Sequence, residues 1–191
     1  DRIIINVASI NHAGSTIVGG GCGIWTGNQN GPEHQWTITK RMGNLEVIGN
    51  NVVIDGSLLY DKNRLYKGNI LAITGADSQT LPVAGGTIYI HDIEFKNAPL
   101  ITDGVNNDPS GAVQTQGAGI ILSTSWPNNI AAERVTIENC KFYDNEGPGI
   151  NSYIDPVLVT TSFTDINLDL CFSYNNGLSG VSFQKVDGFT V

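Results

Sequence analysis

TIYIHDIEFKN (87–97), VTIENCKFYDN (135–145) and INLDLCFSYNN (166–176) superimpose without gaps when they are matched by their apolar columns. Ile88, Val135 and Ile166 align, then Ile90, Ile137 and Leu168, then Ile93, Cys140 and Cys171. Phe95, Phe142 and Ser173 form a fourth column. Two alternating pairs separated by a two-residue break describe a short strand, a bend and a second short strand. A looser fourth copy is LEVIGNNVVIDGS (45–57), in which GNN fills a wider bend.

Working outward, each copy is followed by a Gly-containing turn and another alternating stretch: DNEGPGINSYI, NNGLSGVSFQ and, after a long excursion, QGAGIILSTSW. Each unit therefore holds about three short strands. Strands of this kind cannot bury their apolar side alone and must stack on their neighbours. Parallel stacking at about 4.8 Å per coil gives a solenoid with one continuous core, a parallel β-helix. From Ile93 to Cys140 is 47 residues and from Cys140 to Cys171 is 31, and the surplus lies almost wholly in the polar segment 97–119. Residues 1–44 read as the opening region and first coils, and 45–191 as parallel β-helix coils. Val186 to Val191 reads as the middle of another strand, so the chain is expected to be a fragment of a longer helix that continues past the C-terminal end.

Composition agrees with an all-β chain. The 191 residues include 23 Gly, 22 Ile and 20 Asn against 12 Leu, 6 Glu and 1 Met. Helix formers are scarce, whereas β-branched and turn residues are plentiful. With 10 basic and 18 acidic residues the net charge is −8, which excludes a basic nucleic-acid reader. No apolar window is long enough for a membrane-spanning helix, so no membrane insertion is expected. Cys22, Cys140 and Cys171 are too few and too unevenly spaced for a disulfide scaffold or a metal site and read as buried thiols. Cys140 and Cys171 share an inward column with nearly parallel Cβ vectors, which suits stacked free thiols. No loop carries an EF-hand or nonapeptide calcium pattern, and no cofactor or metal is expected.

NNVVIDGS (50–57), ERVTIENCKFYDNEGPGI (133–150) and FTDINLDLCFSYNNGLSGVSF (163–183) resemble right-handed parallel β-helix proteins of the pectin-lyase-like type, including bacteriophage tailspikes. The resemblance covers residues 45–185 loosely. It implies a right-handed solenoid facing carbohydrate, in a group that holds lyases, hydrolases, epimerases and inactive adhesins. The paired-Asp and Gly-His-Gly signatures of polygalacturonase-like hydrolases and the Asp-Pro-His-Glu signature of alginate epimerases are missing from the sequence.

Side chains that alternate with the core columns point outward and stack on successive coils. One such column is His91, Glu138 and Asp169, readable as a proton-sharing, metal-holding or acid–nucleophile set or as a solvated charge ladder. A second outward set follows the Gly turns. Asn151, Tyr153 and Asp155 alternate with inward Ile150, Ser152 and Ile154, and Ser182 and Gln184 follow on the next coil. With Trp126 they make a polar and aromatic strip suited to a glycan or to a subunit contact, and Trp126, Asn151, Tyr153 and Gln184 are the candidate substrate contacts.

Asp144, Glu146 and Asp155 are the candidate catalytic carboxylates, with Asp103 and Asp108 on the long loop. Glycosidic cleavage needs one protonated and one ionised carboxyl, which clustered acids can arrange by mutual repulsion. The competing reading is turn-forming Asp. Asn97, Asn145 and the Asn175–Asn176 pair read as a structural amide ladder at the coil ends.

The expected function is that of a tailspike or receptor-binding protein, a homotrimer in a virion tail. It would bind and depolymerise a bacterial surface polysaccharide, as a glycoside hydrolase ahead of a lyase. The alternatives are a secreted, extracellular microbial polysaccharide lyase or glycoside hydrolase, and a non-catalytic structural or adhesive β-helix.

Overall fold

The computed structural model describes residues 2–6, 34–39, 44–56, 69–74, 87–98, 117–123, 133–152 and 162–191. Among these residues the protein is all-β, without a helix. In chain order the strands are β1 (Arg2–Asn6), β2 (His34–Thr39), β3 (Asn44–Asp55), β4 (Asn69–Thr74), β5 (Ile88–Lys96), β6 (Ile120–Ser123), β7 (Glu133–Glu138), β8 (Lys141–Tyr143), β9 (Ile150–Ser152), β10 (Phe163–Asp169), β11 (Phe172–Tyr174), β12 (Val181–Ser182) and β13 (Val186–Thr190).

They form two sheets. The first runs β1-β3-β5-β7-β10-β13, with β8 pairing β5 and β11 pairing β8. The second runs β12-β9-β6-β4-β2. Pairing is parallel in both. The chain visits the sheets alternately, one pass through both for each repeat, so sequence neighbours are never ladder neighbours.

The registers reproduce the columns of the sequence repeat. Ile88 pairs Val135 and Val135 pairs Ile166; Ile90 pairs Ile137, which pairs Leu168; Phe95 pairs Phe142, which pairs Ser173. The looser copy fits as expected, because the β3–β5 register shifts between Ile48 and Val52, where Gly49, Asn50 and Asn51 face a single residue of β5. The inequality of the passes is also located. Ile120 pairs Ile150, yet 32 residues separate Ile88 from Ile120 and only 15 separate Val135 from Ile150. The surplus chain lies before β6.

Inward columns make one core. Ile88, Ile90, Ile93, Phe95, Val135, Ile137, Cys140 and Phe142 from the first sheet meet Leu71, Ile73, Ile120, Leu122 and Ile150 from the second, all at 1 % exposure or less. Phe95 and Phe142 stack with ring centroids 5.2 Å apart. Gly149 lies between Phe142 and the next pass; a Cβ there would stand 2.7 Å from the Gly180 carbonyl oxygen and 2.8 Å from Phe142 Cβ, so only glycine lets the neighbouring passes close up.

The bends are set by single residues in the left-handed region. Asp92, Asn139 and Leu170 have φ of 58°, 47° and 49° and sit at equivalent positions of successive passes. Asn97, Asp144 and Asn175 repeat the device one segment later, with φ of 58°, 54° and 53°. Asp and Asn tolerate this conformation because their short polar side chains bond locally. The first column is the two-residue break in the sequence pattern: one left-handed residue resets which side chains face inward.

The amide ladder expected of Asn97, Asn145 and Asn175–Asn176 is present for Asn145 and Asn176, whereas Asn97 donates instead to Asp55 Oδ1 at 3.0 Å and Asn97 and Asn175 are left-handed corner residues. Asn145 accepts from the Ala98 N–H at 3.0 Å and donates to the Asn176 side chain at 2.9 Å, and Asn176 donates to the Phe142 carbonyl at 3.1 Å. Cys140 and Cys171 are free thiols, the first buried and the second partly so, while Cys22 lies outside the described residues. Burial pushes the Cys140 thiol up to about 12, which removes it from nucleophilic chemistry at neutral pH.

Candidate functional site

The outward side of the first sheet carries two groups of polar and aromatic side chains, one on each side of the Asp92–Asn139–Leu170 corner. The first is built on β3, β5, β7 and β10. Registers place His91 opposite Glu138 and Glu138 opposite Asp169, so the outward column read from the repeat exists. His91 is clasped. Its Nδ1 lies 2.7 Å from Asp92 Oδ2 and its Nε2 lies 3.2 Å from Glu46 Oε1. An ionised carboxylate only accepts, so each of these contacts is a hydrogen bond when the ring nitrogen facing it carries the hydrogen. Tyr89 stacks on the imidazole at 4.4 Å and donates its hydroxyl to Glu138 Oε2. Asn139 donates to Asp92 Oδ1 at 2.6 Å.

These contacts tie β3, β5 and β7 together. They also set the electrostatics. The hydrogen bond to His91, then that from Asn139, holds the Asp92 carboxyl below the ordinary carboxylate range. The hydrogen bond to Glu138, reinforced by burial, pushes the Tyr89 phenol up to about 12, because a phenolate facing a carboxylate is repelled.

The second group lies on β5, β8 and β11. Tyr143 and Tyr174 are paired in register and stack almost parallel at 5.1 Å. Glu94 receives Lys141 Nζ at 2.6 Å and the Tyr143 hydroxyl at 2.9 Å. Burial raises the Glu94 carboxyl, but the bonds from Lys141 and Tyr143 and the lysine charges outweigh it, so the net shift is downward. Phe172 and Tyr174 on β11 are 59 % and 46 % exposed, which leaves aromatic surface open to solvent beside these charges. Among the described residues no three His, Cys, Asp or Glu side chains are grouped to hold a metal ion.

The positions chosen from sequence distribute unevenly. Asp144 and Glu146 are exposed on either side of buried Asn145, on the bend after β8. Asp144 is a left-handed corner residue, as a turn-forming Asp would be. Gln184 is exposed, and its backbone N–H donates to Ser152 Oγ at 2.6 Å. Trp126, Tyr153, Asp155, Asp103 and Asp108 lie outside the described residues. Asn151 requires a correction. Its alternation with Ile150 and Ser152 predicts an outward side chain, but it is 1 % exposed, and Ile150 and Ser152 on the same strand are covered as well. The reason is that the second sheet is covered on both sides at this level; in β6, Ile120, Ile121 and Leu122 are buried in succession. Alternation along a strand identifies an open face only where one side of the sheet is solvated.

Sequence reasoning passed over Glu46, Tyr89, Asp92, Glu94, Tyr143 and Tyr174. Tyr143 over Tyr174 was within reach, since the same offset that aligns the core aligns them. The Tyr89–Glu138 and His91–Glu46 contacts run diagonally, two positions off register, and no column match signals them. No family model, curated relative or solved structure matches this chain.

Proposed function

We propose that the chain is a right-handed parallel β-helix that binds a bacterial surface polysaccharide and cleaves it by hydrolysis, working as a trimeric spike of the tailspike type in a virion tail or another extracellular setting. The observation that carries the reading is the outward side of the first sheet, where the Tyr143–Tyr174 stack with its exposed aromatic surface lies alongside the Glu94–Lys141 pair and, across one bend, the carboxylate column. Sugars are held by CH faces on aromatic rings and by hydroxyls bonded to charged groups, and this surface offers both. The alternation of the chain between two parallel sheets supports a solenoid.

Two sets of carboxylates are candidates for the chemistry. Glu138 and Asp169 stand on neighbouring strands, about 4.8 Å apart along the ladder, near the spacing of roughly 5 to 5.5 Å used by retaining glycosidases. Glu138 accepts the Tyr89 hydroxyl, which fixes one face of this pair. Asp144 and Glu146, with Asp155, are the second set.

The test is to incubate the protein with purified capsular, O-antigen and plant polysaccharides, following reducing ends and the ultraviolet absorbance of an unsaturated uronate. Hydrolysis predicts reducing ends without absorbance, abolished in either the Glu138→Gln/Asp169→Asn or the Asp144→Asn/Glu146→Gln/Asp155→Asn variant. Absorbance would replace the hydrolase by a lyase. Binding without cleavage would leave an adhesive spike, and neither binding nor cleavage on any substrate would overturn the proposal. Light scattering on the eluting species separates a trimer from the monomer expected of a secreted enzyme.

A further inference from the structure

The chain holds two Asn-Gly dipeptides, of which Asn176–Gly177 lies within the described residues. This is the pair in which the following backbone nitrogen most readily attacks the asparagine side chain, because glycine has no Cβ to obstruct it. In that reaction Gly177 N bonds to Asn176 Cγ and the Cγ–Nδ2 bond breaks. Nδ2 leaves as ammonia, taking the proton lost by Gly177 N. Water then opens the ring at one carbonyl or the other, to aspartate or isoaspartate.

We propose that Asn176–Gly177 is a self-modification site gated by the fold: closed while its pass is laid on the previous one, and reactive when that pass opens. Both partners of the reaction are occupied in the closed state. Gly177 N–H donates to the Asn145 carbonyl at 2.7 Å. The Asn176 amide is held by four bonds: its oxygen accepts from Asn145 N at 3.1 Å and Nδ2 at 2.9 Å, and its Nδ2 donates to Phe142 O at 3.1 Å and Ser173 Oγ at 2.9 Å. A nitrogen and a carbon fixed in this way cannot meet.

The fold also prevents the sequence from avoiding the hazard. A Cβ at Gly177 would stand 2.3 Å from the Glu146 carbonyl oxygen, so glycine is required. An amide that donates and accepts at once is required at Asn176. At the equivalent place one pass earlier, Asn145 is followed by Glu146, which provides an internal control.

Opening releases both groups together, because Asn145 and Phe142, which hold them, lie on the previous pass. The product does not close again. Aspartate cannot donate to Phe142 O and Ser173 Oγ, and isoaspartate lengthens the backbone by one carbon, which takes Gly177 N–H out of register with the Asn145 carbonyl. The site therefore records, irreversibly, that a molecule has opened.

The experiment ages the full chain in mildly alkaline buffer, folded and in urea, and maps isoaspartate by peptide at Asn176, with Asn145 as control. The expected result is modification at Asn176 at least about tenfold slower when folded than in urea, with a lower urea midpoint in the modified molecules. Equal rates in the two states would overturn the gate. An unchanged midpoint in the modified fraction, or in the Asn176→Asp variant, would overturn the one-way closure.

Discussion

Asn145 bonds in both directions from inside the protein. At 1 % exposure its amide reaches Ala98 N and Phe95 O on one neighbouring pass and Asn176 on the other. Buried groups that lose a partner keep their desolvation cost, about 1 to 3 kcal/mol each. Asn145→Ala is therefore expected to remove about 3 kcal/mol or more from the unfolding free energy, read from the urea midpoint at unchanged slope. Gly149 makes the complementary case, in which nothing is lost but room is lacking. A methyl group at this position would lie 2.7 Å from Gly180 O and 2.4 Å from Ser173 Oγ, so Gly149→Ala must push two passes apart. Overpacking of this kind costs about 1 to 3 kcal/mol, and the same urea titration measures it.

At the scale of the element, each strand carries a core code on one side and a charge code on the other, and the second was legible only where it follows the columns, as in His91, Glu138 and Asp169. Ile88, Ile90, Ile93 and Phe95 announce themselves because the side-chain period is two and one left-handed corner interrupts it. The pairing of Tyr89 with Glu138 depends on the reach of long side chains across a diagonal, which the alphabet of one strand does not carry. Burial of Asn151 depends on what covers the second sheet from outside, again not a property of its own strand.

The charge code has a pH signature. Asp92 and Glu94 titrate below their unfolded values, so the stability they give is complete above about pH 4 and is lost as pH falls through their folded values. Tyr89, and Tyr143 through its burial and its bond to Glu94, titrate above theirs, so that contribution is complete below about pH 10 and is lost as pH rises. The urea midpoint should fall as pH drops below about 5, through Asp92 and Glu94, and fall as pH rises past about 8.5, first through the buried Cys140 thiol and then through the two tyrosines. Glu94→Gln should make the acid fall shallower, while an acid limb identical to that of the unaltered protein would show that Glu94 does not contribute to it.

For the whole molecule, every ladder partner is distant in sequence: 47 residues from Ile88 to Val135, 31 from Val135 to Ile166, 23 from Ile166 to Phe189. Parallel pairing across such separations folds slowly, and protection is greatest where a strand has neighbours on both sides. Hydrogen exchange should be slowest in β5 and β7, which are paired on both sides around buried Ile90 and Ile137, and faster in the three-residue β11 and two-residue β12. Uniform protection across these strands would contradict a stack of separable passes. Those same intervals decouple length from register. Between β5 and β6 the chain takes more than twice the residues used between β7 and β9, yet Ile120 still meets Ile150 and no column moves. A protein engineer would recognise a splice point there: foreign sequence of very different size, even a second small domain, should be exchangeable between Ala98 and Gly117 while the columns on either side keep their alignment.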